Sequence, residues 1–169
     1  MSEESTENSV LLKSGKQISA DVVVTATGFN LSFLESLEVF VDGNRINIAE
    51  AFTYKGLMLS NVPNLIVTFG YINATWTLRV ELIAKWICKL LKYMKDNKKT
   101  VCNPRMPKVE KGMSRRPFVE NFSPGYINRD LHKLPKQGDK WPWLSIQNYQ
   151  KEQTLLLKAP VNDGVLVFY

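Results

Sequence analysis

Two short stretches carry chemistry in their backbone rather than in their side chains. In Asp21-Val-Val-Val-Thr-Ala-Thr-Gly28 a run of branched residues without polar alternation reads as a strand covered on both faces, as in a parallel sheet. Thr25, Ala26, Thr27 and Gly28 then release the chain at the strand's carboxyl end, where ligands of open α/β sheets sit and where small residues let backbone approach a dinucleotide closely. The second stretch, Val67-Thr-Phe-Gly-Tyr-Ile-Asn-Ala-Thr-Trp76, reads as strand, glycine, polar turn and helix start. Unpaired N–H groups and the positive helix end make such a turn attractive to anions. The N1–C2=O edge of a flavin, anionic when reduced, is one group that would gain there, by about 0.3–2 kcal/mol. An ordinary capped helix behind a core strand has the same pattern, so neither stretch alone decides the matter.

Side-chain chemistry is sparse. His132, the single histidine, sits in the proline-bounded Leu131-His-Lys-Leu134, where surface placement is the simpler reading. Cys88 and Cys102 form neither a C-x-x-C pair nor a metal cluster with it, which fits reduced structural thiols. Glu35, Glu38 and Glu50 show no spacing of a general acid and base. No catalytic residue and no metal ligand is assigned. No G-x-G occurs in the chain, so the glycine-rich loop that cradles a dinucleotide pyrophosphate is not among its motifs.

The elements that must position the two turns follow from periodicity. Val10 to Lys13 and Gln17 to Ala20, flanking Ser14-Gly15-Lys16, predict a hairpin feeding into the Asp21 strand. Phe29 to Val41 reads as an irregular connection closed by the turn Asp42-Gly43-Asn44. Phe52, Tyr54 and Leu57 suit either a pocket wall or packing against a sheet. Leu65 to Phe69 reads as a second buried strand stopped by Gly70. Asn73 or Thr75 then caps a long helix with Val80, Ile83, Ile87, Leu90, Leu91 and Met94 on its apolar face and Glu81 paired with Lys85 on another. After Lys95 the prolines multiply, while Phe118, Phe122, Tyr126, Trp141, Trp143 and Tyr149 suggest an extended arm docked on a folded surface.

Composition allows one domain: 169 residues, 44% hydrophobic and 22% charged. Trp76 to Met94 is interrupted by Arg79, Glu81, Lys85, Lys89 and Lys92, so no membrane span is expected. Met1 to Ser9 is acidic and polar, without the apolar core of a secretory signal; a cytoplasmic protein is the expectation. The net charge of +6 is concentrated between Lys85 and Arg116, which either forms a solvated face or attracts an anionic partner. No nucleic-acid signature accompanies it, and nucleic acid is not the expected partner.

Several motifs together resemble a known family. Asp21-Val-Val-Val-Thr-Ala-Thr-Gly28, Tyr54-Lys-Gly-Leu-Met-Leu-Ser60, Val62-Pro-Asn-Leu65 and Gly70-Tyr-Ile-Asn-Ala-Thr-Trp-Thr-Leu78 resemble the C-terminal part of FAD-containing monooxygenases. The likeness is to the Baeyer–Villiger branch that includes thioamide-prodrug activators. Arg116-Pro-Phe118, Pro124-Gly-Tyr126, Leu134-Pro-Lys-Gln-Gly138 and Gln147-Asn-Tyr149 look like that branch's tail, so the resemblance runs from about Ser9 to Lys151 in the family's order. It implies an α/β fold, the C-terminal portion of a flavoprotein with two Rossmann-like dinucleotide-binding domains. Residues 10–95 would belong to a partial FAD/NAD(P)-binding domain, 96–169 to a basic, proline- and aromatic-rich tail packed on it, and 1–9 to a disordered start. It further implies FAD and NADPH as cofactors, and oxygenation of a small lipophilic carbonyl, sulfur or nitrogen compound by O2 through a flavin C4a-peroxide.

By the same resemblance Ala26, Thr27 and Gly28 pass near the cofactor, and Tyr71, Asn73, Ala74 and Thr75 face the flavin ring. Tyr54 and Trp76 would border the substrate pocket. The family's F-x-G-x-x-x-H-type fingerprint is missing, and its catalytic arginine would lie before Met1. The chain alone is therefore expected to be inactive and to need an N-terminal portion as partner. Two other readings remain open: a non-catalytic module binding an anionic partner through its basic stretch, and a piece of another two-dinucleotide flavoprotein such as a disulfide reductase.

Overall fold

A computed structural model describes residues 2–6, 8–26, 28, 33–34, 37–106, 112–120 and 125–169. The chain opens with three antiparallel strands, β1 (Ser2–Thr6), β2 (Ser9–Leu12) and β3 (Gln17–Ser19). The expected hairpin is there: Val10 pairs with Ile18, and Gly15 makes the turn at a φ of 80° that a side chain would strain. At the start of the chain β1 pairs with β2, Thr6 opposite Ser9. A second hairpin, β4 (Phe40–Val41) and β5 (Asn44–Arg45), closes over the Asp42-Gly43 turn. A third joins β6 (Thr53–Tyr54) to β7 (Met58–Leu59).

From Trp76 to Asp96 runs the long helix α1. Its buried face consists of Arg79, Leu82, Ile83, Trp86, Leu90 and Met94, rotated from the face the sequence suggested. Val80 and Leu91 are exposed. The rotation has a physical reason: it buries Trp86 and Leu82, the larger apolar area, and brings Arg79 to a carboxylate. The Glu81–Lys85 pair forms as expected, at 2.5 Å.

The tail folds back over α1. Strand β8 (Cys102–Pro104) pairs antiparallel with β11 (Leu166–Phe168), and β9 (Arg116–Pro117) with β10 (Lys136–Gln137). Between them lie the helices α2 (Gly125–Asp130) and α3 (Tyr149–Glu152), the latter continuing as a π-helical stretch, Gln153–Lys158. The main core joins both halves of the chain: Tyr54, Leu57 and Met58 meet Trp86 and Leu90 of α1 and Trp143, Leu156 and Leu166 of the tail. Each large apolar side chain buried there contributes about 1.5–3 kcal/mol before entropy is subtracted.

Two expected strands do not form. Asp21–Ala26 has no ladder, and Val22 and Val24 are 78% and 84% exposed. Among the described residues no strand flanks it, so three consecutive valines have neither a hydrogen-bonding neighbour nor a covering layer. Leu65–Phe69 lies half-buried beside β7, tied by the Val67 N–H to Leu57 O and one bridge between Ile66 and Met58. Among the described residues the paired strands are all antiparallel, in short two- or three-stranded units, so the fold is a small α/β piece in which the expected parallel sheet is not present.

Candidate functional site

The turn between Phe69 and Trp76 is held from behind by a buried ion pair. Arg79, in the first turn of α1, and Glu152, at the end of α3, are both fully buried. Arg79 Nε donates to Glu152 Oε2 at 3.0 Å, and Arg79 Nη2 donates to Oε1 at 3.2 Å. The same guanidinium donates to the carbonyls of Phe69 (2.7 Å), Lys55 (3.1 Å) and Gly56 (3.2 Å). Glu152 also accepts from the Tyr71 hydroxyl at 2.6 Å. A buried charge without partners would be prohibitive, and here the fork of the arginine is filled by two carboxylate oxygens and three carbonyls. Burial, followed by the bond to Glu152, pushes the Tyr71 phenol well above its ordinary range. Space behind the turn is tight: a Cβ on Gly56 would meet the Arg79 guanidinium at 2.6 Å, and one on Gly70 would meet the Trp76 ring at 2.4 Å.

In front, the turn meets the tail. Gln147 Oε1 accepts from the Ile72 N–H at 3.0 Å, and Asn73 Nδ2 donates to the Gln147 carbonyl at 3.1 Å. A cleft of about 350 Å³ opens beside this clamp, with Ile72, Asn73, Phe118, Leu144 and Gln147 among its walls. Its two charged residues among the described ones, Arg116 and Glu120, are bonded to each other, Arg116 Nε donating to Glu120 Oε1 at 2.8 Å. Thr75 is the N-cap residue of α1 but makes no side-chain cap hydrogen bond. Asn73, Ala74 and Thr75 are exposed.

A second buried cation lies deeper. Lys55 is 2% exposed, its Nζ 3.1 Å from Asp163 Oδ2 and 4.8 Å, 5.4 Å and 5.7 Å from the ring centroids of Tyr54, Trp86 and Trp141. Burial lowers the Lys55 ammonium against the opposing pull of Asp163. The Tyr54 hydroxyl donates to the same Asp163 oxygen at 2.6 Å, and burial together with that carboxylate holds Tyr54 protonated far above its ordinary range.

The residues singled out by sequence fall into three groups. Asn73, Ala74 and Thr75 lie together on the exposed turn, with Trp76 54% exposed and its ring 5.0 Å from that of Phe69. Tyr71 shares the turn, with its side chain buried and its hydroxyl bonded to Glu152. Tyr54 is fully buried, its ring against Trp143 and its hydroxyl on Asp163. Ala26 and Gly28 are exposed and share no hydrogen bond with the turn among the described residues, while Thr27 lies outside the described residues. His132 is exposed, Cys88 exposed and Cys102 buried, all without a metal cluster among the described residues. Five cations of the basic stretch have ionic or hydrogen-bonding partners among the described residues: Lys85 with Glu81, Lys92 with Asp96, Arg115 with Glu50, Arg116 with Glu120, and Lys89 with the carbonyls of Leu157 and Ala159. No helix among the described residues is long and apolar enough to cross a membrane.

Sequence reasoning missed Arg79, Glu152, Gln147, Lys55 and Asp163. Arg79 was legible in principle, because a cation in register with Leu82, Ile83 and Trp86 on a buried face needs a buried anion.

Comparison with known proteins gives one consistent answer. The chain is 42% identical over 163 residues to the FAD-containing monooxygenase EthA of Mycolicibacterium smegmatis, covering 96% of this chain and 32% of that protein. It is 39% identical over 163 residues to EthA of Mycobacterium tuberculosis, 96% of this chain and 33% of that protein. A probable FAD-binding monooxygenase of Acinetobacter baylyi, AlmA, is 37% identical over 166 residues, 98% of this chain and 33% of the relative. The chain thus spans about a third of the length of the curated relatives it matches. No family model matches it, and no solved structure matches it significantly.

Proposed function

We propose, from the premise that this chain is homologous to one third of the FAD-containing monooxygenases, that it serves in an FAD- and NADPH-dependent enzyme inserting one atom of O2 into a small lipophilic carbonyl, sulfur or nitrogen compound. The observation that carries this reading is identity near 40% along almost the whole chain. The Baeyer–Villiger type, the Rossmann-like setting, the C-terminal place in the enzyme, the need for an N-terminal portion and a cytoplasmic location belong to the same proposal.

The residues present suit a flavin at the exposed turn. Asn73, Ala74 and Thr75 are open to solvent, and no Thr75 cap bond occupies the α1 N-terminus. Such a helix end stabilises adjacent negative charge by about 0.3–2 kcal/mol. FAD, when bound, supplies the transfer of reducing equivalents to O2. The chain's part is to fix the turn: Arg79 holds the Phe69 carbonyl, Glu152 holds the Tyr71 hydroxyl, and Gln147 holds the Ile72 N–H. With its backbone bonded on both sides, the turn meets a ligand with little left to reorganise. Ala26 and Gly28 are exposed.

The test is a chimera in which this chain replaces the corresponding third of the M. smegmatis EthA. The expected product purifies with bound FAD and oxidises NADPH in response to a ketone or thioether, whereas the 169-residue chain alone holds FAD weakly or not at all. A folded chimera without flavin and without NADPH consumption would overturn the proposal.

A further inference from the structure

We infer that the cleft between the Phe69–Trp76 turn and the tail is a binding site for a small uncharged organic molecule bearing a hydrogen-bond acceptor, with Gln147 as donor and Leu144 and Phe118 setting the size. The residues expected to border substrate, Tyr54 and Trp76, do not line this cleft. Its location follows from the clamp: Gln147 Oε1 is turned toward the Ile72 N–H, and the Gln147 carbonyl takes Asn73 Nδ2. The two amide hydrogens on Gln147 Nε2 then have, among the described residues, only a long 3.4 Å contact with Ser145 Oγ. That leaves a donor on the wall of the cleft. Gln137, by contrast, is satisfied at both ends, donating to the Pro117 carbonyl and accepting from the Ser145 N–H.

Charge and size select the ligand. Arg116 and Glu120 neutralise each other across an i,i+4 pair, so among the described residues the cleft offers no net charge to an ion. A charged ligand would surrender hydration without gaining a counter-ion, while a neutral carbonyl compound loses little and gains the Gln147 donor. Ile72, Phe118, Val119 and Leu144 provide the apolar remainder of the wall. A volume of about 350 Å³ lies at the small end of the range for small-molecule sites, which suits a ligand below drug size. The identification of this ligand as the enzyme's substrate rests on the monooxygenase reading; the site itself does not. Under that reading the clamp sets the ligand beside the exposed Asn73–Thr75 turn, and the tail, rather than the turn, determines which molecules enter.

The test uses the ¹⁵N-labelled 169-residue chain titrated with 2-octanone, octanoate and octylamine in turn. Saturable shifts are expected at the Ile72 and Asn73 amides and at the Gln147 side-chain NH2 for 2-octanone, with the two charged probes at least roughly tenfold weaker. Gln147→Leu should weaken 2-octanone by roughly tenfold. Because Gln147 also holds the turn, Leu144→Trp is the second variant: it fills the cleft without touching the clamp and should abolish the shifts. Equal response to all three probes, or 2-octanone binding that survives Leu144→Trp, would overturn the site. An inactive chimera alongside a chain that still binds 2-octanone would defeat the redox reading and leave the cleft standing. An active chimera whose KM for a ketone is unmoved by Leu144→Trp would defeat the cleft alone.

Discussion

The chain contains two regions of similar apolar content and opposite fate. Around α1, side chains from residues 54 to 166 bury one another so completely that Tyr54, Trp86 and Trp143 lose all but a trace of their exposure. Behind the first hairpin, Val22, Val23 and Val24 stand in solvent. A run of three valines is as hydrophobic as anything in the core, so the difference lies in neighbours: α1 finds the tail, and the valines find no strand among the described residues. Hydrophobicity decides that a segment seeks burial; the rest of the chain decides whether it succeeds.

That contrast can be broken by substitution. Trp143→Ala should cost about 3–5 kcal/mol in urea unfolding, the full price of emptying the middle of the core. Glu152→Ala, which strands the Arg79 guanidinium without its carboxylate, belongs in the same range of about 3–5 kcal/mol. Tyr71→Phe removes one bond to a charged acceptor and should cost about 1.5–3 kcal/mol, with Arg79 still holding both oxygens. A smaller effect is pH-dependent. Burial pushes the Asp163 carboxyl up, but the Lys55 ammonium and the Tyr54 hydroxyl outweigh it and hold the group below its ordinary range. Stability from this depressed carboxyl is fully present above the ordinary carboxylate value and is lost as pH falls through the lowered one. Asp163→Asn should flatten that acid limb when unfolding is followed at stepped pH. At the far end, Val23→Ser should stay within about 0.5 kcal/mol in this chain. In the EthA chimera the same substitution should cost more than 1 kcal/mol, about what one apolar group loses when a covered site turns polar. If Val23→Ser were as damaging in the isolated chain as Trp143→Ala, the contrast would be wrong.

Legibility followed the same division. The first hairpin was readable because Ser14-Gly15-Lys16 demands a turn, and α1 because periodicity over twenty-one residues outlasts local accidents. Its exact face was not, since Arg79 looked like an interruption until Glu152 supplied the reason to bury it. Leu65–Phe69 and Asp21–Thr25 have strand composition, but ladders need partners that composition does not name. The exposed turn at Asn73–Thr75 could be read from a glycine, small polar residues and a helix start. The cleft could not, because Ile72 and Gln147 lie far apart in sequence and only the fold brings them to 3.0 Å.

The bonds that close the core also set a tempo. Tyr54 reaches Asp163 across 109 residues and Tyr71 reaches Glu152 across 81, while β8 must wait for β11, the last strand of the chain. Contacts so distant form slowly, after a large loop has been closed. During synthesis α1 is finished well before Trp143, Leu156 and Leu166 emerge to cover it, so Trp86, Leu90 and Met94 remain wet and adhesive while that stretch of the tail is being made. Yield of soluble protein should therefore depend on translation speed and on chaperones that shield that one helix face.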